Sequence, residues 1–122
     1  MPEIARTLER YAACVTAGDV DGILALYAPE ATIEIPVGGG VHRGIDAIRA
    51  FYAGSELAER LELAGPVCAA AAAGEAAVPM RARIRRDGRL VEIDVIDVVA
   101  FDAQGRLTRL RAFFDVAGAR VV

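Results

Sequence analysis

Apolar residues recur at helical spacing over the first part of the chain and alternate along most of the remainder. Ile4, Leu8, Tyr11 and Val15 follow at intervals of four, three and four, which predicts a helix over residues 3–17 with these side chains on one stripe. Ala17-Gly18 ends it. Asp19 is suited to cap a second, shorter helix through Tyr27, closed by Pro29. Ala31 to Ile35 alternates as a short strand, and Pro36-Val37-Gly38-Gly39-Gly40 breaks it into a loop. After Gly44 a third helix is expected from Ile45 to Ala53, ended by Gly54, with Ile45, Ile48, Phe51 and Tyr52 facing inward.

Beyond about residue 60 the pattern becomes that of strands, expected at 61–72, 76–86, 89–102 and 106–116. Arg86-Asp87-Gly88-Arg89 reads as a hairpin turn and Asp102-Ala103-Gln104-Gly105 as another. Gly65-Pro66 should interrupt the first strand. The run Ala69–Ala73 is ambiguous by propensity and is taken as strand. Helices first and an antiparallel meander afterwards predict an α+β class, with three N-terminal helices packed against a strongly curved antiparallel or mixed sheet. An apolar pocket is expected between them. No repeat or linker is visible, and residues 1–122 read as a single domain.

Composition narrows the function classes. The chain has 122 residues, 55% hydrophobic, so it can bury a core without disulfide or metal. Net charge is −3, and no basic cluster stands clear of acidic neighbours, which excludes the footprint of a nucleic-acid binder. Arg81, Arg83, Arg85 and Arg86, interrupted by Ala82 and Ile84, read as the wet face of an antiparallel strand. Cys14 and Cys68 have no paired spacing, and the single histidine, His42, is too little for a zinc site; no metal is expected. Met1-Pro2-Glu3 opens no signal pattern and no apolar run reaches membrane-spanning length, so the expectation is a cytoplasmic protein without a membrane partner.

Candidate chemistry centres on the strand Val91 to Phe101. Alternation puts Glu92, Asp94 and Ile96 on one face, and Ile93, Val95, Asp97, Val99 and Phe101 on the other. A carboxyl among four apolar groups tends to keep its proton, and a protonated acid can donate a hydrogen bond to a developing oxyanion. The alternative is a structural carboxylate bonded to an arginine or to backbone amides. Tyr11, Tyr27 and Tyr52 each fall on the inner stripe of a different predicted helix. Any one of them alone reads as a core tyrosine bonded to a carbonyl. Three phenols converging with a buried acid form a network that would place Tyr11 and Asp97 as twin donors to one oxygen.

At these residues the chain resembles the bacterial Δ5-3-ketosteroid isomerases, within the nuclear transport factor 2-like (SnoaL-like) group of cone-shaped folds. The resemblance runs over nearly the whole chain. It is carried by Arg10-Tyr11, Gly18-Asp19-Val20-Asp21-Gly22-Ile23, Tyr27-Ala28, Ala31-Thr32-Ile33-Glu34, Pro36-Val37-Gly38, Ala50-Phe51-Tyr52, Gly65-Pro66-Val67 and Asp94-Val95-Ile96-Asp97-Val98. It implies that Tyr11 is the phenol of an oxyanion hole and Asp97 its protonated partner. Tyr27 and Tyr52 would be the supporting hydroxyls. Val15, Phe51, Met80, Ile93, Val95, Leu110 and Phe114 would line the pocket for a small apolar ketone or phenol. It further implies a homodimer working without a cofactor.

One position departs from that pattern. The family carries its general base, an aspartate, directly before the Pro-x-Gly segment, where this chain has Ile35. Isoleucine has no lone pair to take the proton next to the ketone. Glu34 is the nearest substitute, but neighbours on a strand point to opposite faces. His42 reads as a solvated loop histidine, with a place near the pocket mouth as its alternative, and Asp94 as a surface or dimer-interface charge. Three accounts of Ile35 stay open: a relative that binds a hydrophobic ketone or phenol; an enzyme needing only the oxyanion hole, for polyketide cyclisation or epoxide opening; and an isomerase changed at this position.

Overall fold

The computed structural model describes residues 2–54 and 58–122; Met1, part of the N-terminal reading, lies outside them. Three helices lie in the first half of the chain: α1 (Pro2–Ala17), α2 (Val20–Leu24) and, after the first two strands, α3 (Ile45–Tyr52). Eight strands follow or interleave: β1 (Tyr27–Glu34), β2 (His42–Arg43), β3 (Arg60–Leu63), β4 (Cys68–Ala70), β5 (Glu75–Arg86), β6 (Arg89–Phe101), β7 (Leu107–Phe113) and β8 (Arg120–Val121). The sheet order is β2-β1-β7-β6-β5-β3, with β4 also pairing β5 and β8 pairing β6. All pairs are antiparallel except β1 with β7, so the sheet is mixed. It curls without closing, and the helices pack on its concave side, the α+β arrangement the patterning predicts.

The helical stripe of α1 buries Ile4, Leu8, Tyr11 and Val15. Helix α2 starts where Asp19 accepts a hydrogen bond from the Gly22 N–H at 3.0 Å. It ends at Leu24 rather than Tyr27, which opens β1. Pairing with β7 wins there: Tyr27 stands opposite Leu107, and Pro29, lacking an N–H, falls in the irregular stretch between Tyr27 and Thr32. Thr16 fastens α1 to the sheet, its hydroxyl accepting from Leu61 N–H at 2.9 Å and approaching Leu61 C=O at 3.1 Å.

The strand expected over 61–72 is two short strands, β3 and β4, separated around Gly65-Pro66. Of the alanine run, Ala69 and Ala70 are strand and Ala71–Ala73 a turn of 3-10 helix, since exposed alanines give a sheet nothing to bury. The last long strand stops at Phe113, and β2 and β8 are additional two-residue strands. The central hairpin holds its register over its full length, with Asp97 opposite Val78 and Arg86 opposite Arg89. Its concave face supplies Val78, Met80, Ala82, Ile93, Val95 and Val99 to the core.

Candidate active site

Between helices and sheet lies a cavity of about 750 Å³, within the ~300–1,000 Å³ typical of small-molecule sites. Its walls are mostly apolar: Val15 from α1, Ile35 and Pro36 after β1, Phe51 from α3, Ile93 and Val95 from β6, and Ala112 and Phe114 at the end of β7. Tyr11, Tyr52 and Asp97 supply polar groups on this wall. Glu59, Arg85 and Arg86 line it as well.

Asp97 is only 3% exposed, the one buried charged side chain among the described residues. Burial pushes its carboxyl up from the ordinary aspartate range to about 7. No hydrogen bond from a described side chain reaches it, so no arginine or amide anchors it as a structural carboxylate. Its neighbour Tyr11 is pushed upward too, first by burial and next by the Asp97 charge, and so keeps its proton.

The Tyr52 hydroxyl lies 2.9 Å from that of Tyr11 and 2.8 Å from that of Tyr27. Burial raises both Tyr27 and Tyr52 well above the usual phenol range. Three neutral phenols in a row can donate in sequence, Tyr27 to Tyr52 to Tyr11. That order leaves the Tyr11 O–H as the terminal donor, free for an oxygen in the cavity. The Tyr11 and Tyr52 rings also meet edge to face, with centroids 6.2 Å apart.

Several expected positions lie elsewhere. Met80 and Leu110 are fully buried in the core and do not line the cavity. On β7 the alternation is right, but the wall begins one step later, at Ala112 and Phe114, while Leu110 is buried in the core. Tyr27 reaches the network from a strand, not a helix. Glu34 faces away from the cavity. Its carboxylate accepts from the Gly38 N–H at 2.9 Å and from Arg111 Nε at 3.0 Å, and these two bonds hold it below the usual range. Ile35 lines the cavity in its stead. His42 sits in β2 against the Phe51 ring, centroids 5.3 Å apart, and is not part of the wall.

Ala82, Ile84 and Arg86 are lining residues the sequence reading passed over, although they share one face of β5 by simple alternation. Among the described residues no group of three metal-ligating side chains occurs. No helix among them is long and apolar enough to cross a membrane.

Comparison with known proteins gives four findings. A family described as SnoaL-like domain matches residues 8–110. The steroid Δ-isomerase of Nocardioides simplex is 37% identical over 115 residues, 92% of this chain and 89% of the relative. The epoxide hydrolase LasB of Streptomyces lasalocidi is 29% identical over 121 residues, but those span only 43% of its length. Among solved structures, the epoxide hydrolase/cyclase-like enzyme SalBIII, described in pyran ring formation of the polyether salinomycin, superposes with a TM-score of 0.88 at 27% identity. That match covers 98% of this chain and 95% of SalBIII.

Proposed function

The chain belongs to the SnoaL-like domain family, and from that premise we propose that it is a ketosteroid isomerase-like enzyme. It takes a small apolar ketone into the cavity and shifts a C=C bond next to the carbonyl through a dienolate. The carrying observation is the buried Asp97 carboxyl beside Tyr11 on an otherwise apolar wall.

The two donors have separate origins. Asp97 holds its proton up to about pH 7 because ionising it there would bury an unpaired charge. Tyr11 is aimed by the Tyr27–Tyr52 chain. With no protein base in place, solvent water takes the α-proton; charge builds on the ketone oxygen, and both O–H groups bind that oxygen more strongly than they bind the neutral carbonyl. The hydronium so formed returns a proton to the dienolate two carbons further along, and the donors relax to their ground state.

The proton carrier is the weak part. Ile35 occupies the wall position where the isomerases carry their aspartate, and Glu34 is tied to Arg111 and Gly38. Turnover of a Δ5-3-ketosteroid is therefore expected to be slow, with the oxyanion site intact. Following the ultraviolet absorbance of the conjugated enone, for this chain and for Ile35→Asp side by side, tests this. Fast turnover by the variant alone supports the reading; no conversion by either refutes it.

Ile35 also favours a second reading, opening of an apolar epoxide. Asp97 would protonate the epoxide oxygen as its C–O bond breaks. A hydroxyl, of water or of the substrate, would attack the carbon and return its proton to Asp97. No base at position 35 is needed. Epoxide consumption by the unaltered chain, with no steroid conversion by Ile35→Asp, would select this route.

A homodimer is part of the proposal. Ile96 and Phe113, 44% and 40% exposed, stand in register on the convex face and provide an apolar patch for it to cover. Monomeric sedimentation at micromolar concentration would remove that part.

A further inference from the structure

The cavity has a second charged end. Along β5, Val78, Met80, Ala82, Ile84 and Arg86 alternate onto the concave face; along β6, Asp97, Val95, Ile93, Val91 and Arg89 do the same. Arg86 and Arg89 stand directly opposite each other, flanking the turn Asp87-Gly88. Like charges directly opposed on a sheet destabilise the pair.

The neighbouring arginines of the same hairpin are neutralised. Arg81 and Arg83 meet Glu92, and Arg85 is held by Glu59 at 2.7 Å. Arg86 and Arg89 form no ion pair among the described residues, and neither does Asp87 between them. A second hollow, about 680 Å³, adjoins the first and is lined by Arg86, Asp87, Arg89, Val91, Val116, Ala117 and Ala119, two cationic groups against one carboxylate. Arg86 and Val116 belong to both walls, so the arginine pair stands where the two hollows meet.

The spacing says what could reach them. Arg86 is eight positions from Val78, the partner of Asp97, or about 26 Å along the strand at ~3.3 Å per residue. The curl of the sheet shortens that path, and Arg86 lines the first cavity as well as the second.

Resting on the reading above, we infer that the ligand is two-ended. An apolar body places its carbonyl or phenol oxygen at Tyr11 and Asp97. A flexible tail carries an anionic group, carboxylate or phosphate, to Arg86 and Arg89. The anion pairs with two guanidinium groups that form no ion pair among the described residues, and outweighs the single carboxylate of Asp87 between them.

The test titrates the full chain with a steroidal phenol bearing an alkyl carboxylate tail, with its methyl ester, and with the matching phosphate monoester. At low salt one of the anions is expected to bind about fivefold tighter than the ester or better, with the advantage shrinking as salt is added. In Arg86→Gln/Arg89→Gln the anion should bind no better than the ester. The tighter of the two anions identifies the group. Equal affinity of all three compounds, or an anion advantage that survives in the double variant, overturns the anion site and leaves the oxyanion reading standing. An ester that does not bind at all overturns the oxyanion reading as well.

Discussion

Asp94 and Asp97 are three residues apart on β6 and have opposite environments. Asp94 lies on the convex face, where Arg120 bonds its carboxylate at 3.0 and 3.1 Å and holds it below the usual range. Asp97 lies on the concave face among Ile93, Val95 and Val99, and burial alone lifts it to about 7. Residue type is the same in both, so the chemistry is set by which face of the sheet the side chain leaves from. One face is wet and stocked with arginines. The other is dry and offers the carboxyl only phenols, so the acid keeps its proton and becomes a donor.

The most forceful way to break that contrast is to put a second carboxyl on the dry face. Ile35→Asp should raise turnover of a Δ5-3-ketosteroid by about 10²–10⁴-fold, measured as enone absorbance, because it restores a proton carrier opposite the two donors.

The pH dependence of stability separates the two faces next. A carboxyl with a raised folded-state value binds its proton more tightly when folded, so its contribution is fully present at low pH. It fades as pH rises from about 4 to about 7. Removing Asp97 should flatten a decline of roughly 4 kcal/mol at most over that range. The comparison is chemical denaturation of the unaltered chain and of Asp97→Asn between pH 4 and 8. Glu34, Glu59, Glu92 and Asp94 are shifted the other way, so their contribution is lost only as pH falls through their lowered values. Parallel curves for the two proteins would mean that Asp97 is ionised at no cost.

Asp97→Leu should fold and bind a phenolic ligand about 10- to 100-fold more weakly, the worth of one strong hydrogen bond to a charge-bearing oxygen. Unchanged affinity in a fluorescence titration would take Asp97 out of the site. Tyr11→Phe should cost less, about fivefold, since Asp97 remains as a donor. If that variant loses its fold instead, Tyr11 is a core tyrosine and nothing more. The smallest effect is expected on the wet face. Arg120→Gln should lower the melting temperature slightly and only at low salt, because exposed ion pairs are screened.

Much of this was legible in the chain's patterning. The period-two alternation of Val91 to Phe101 separates Asp94 from Asp97, and the four-three-four stripe of α1 turns Tyr11 inward. Helix α2 was overrun because its helical pattern carries no sign of the parallel partner β7 that claims Tyr27 as strand. Met80 and Leu110 were placed on the wall because alternation tells which face a side chain leaves from, not whether the helices or the open cavity cover it. Arg86 is exposed, as expected of a wet position, but counting by twos from Val78 puts it on the concave side, at the cavity rim, and not with Arg81 and Arg83.

The sequence by itself determined the faces: which side chains point in or out, where turns interrupt, and that one carboxyl would share its face with apolar groups. These are local consequences of helix and strand periods. Only the tertiary structure decided that three phenols from α1, β1 and α3 meet in one hydrogen-bonded row, and that Glu34 is spent on Arg111. It alone put Ile35 on the cavity wall and Arg86 at its rim. Those meetings depend on how far the sheet curls and on contacts between residues 25 to 77 positions apart, which no local spacing encodes.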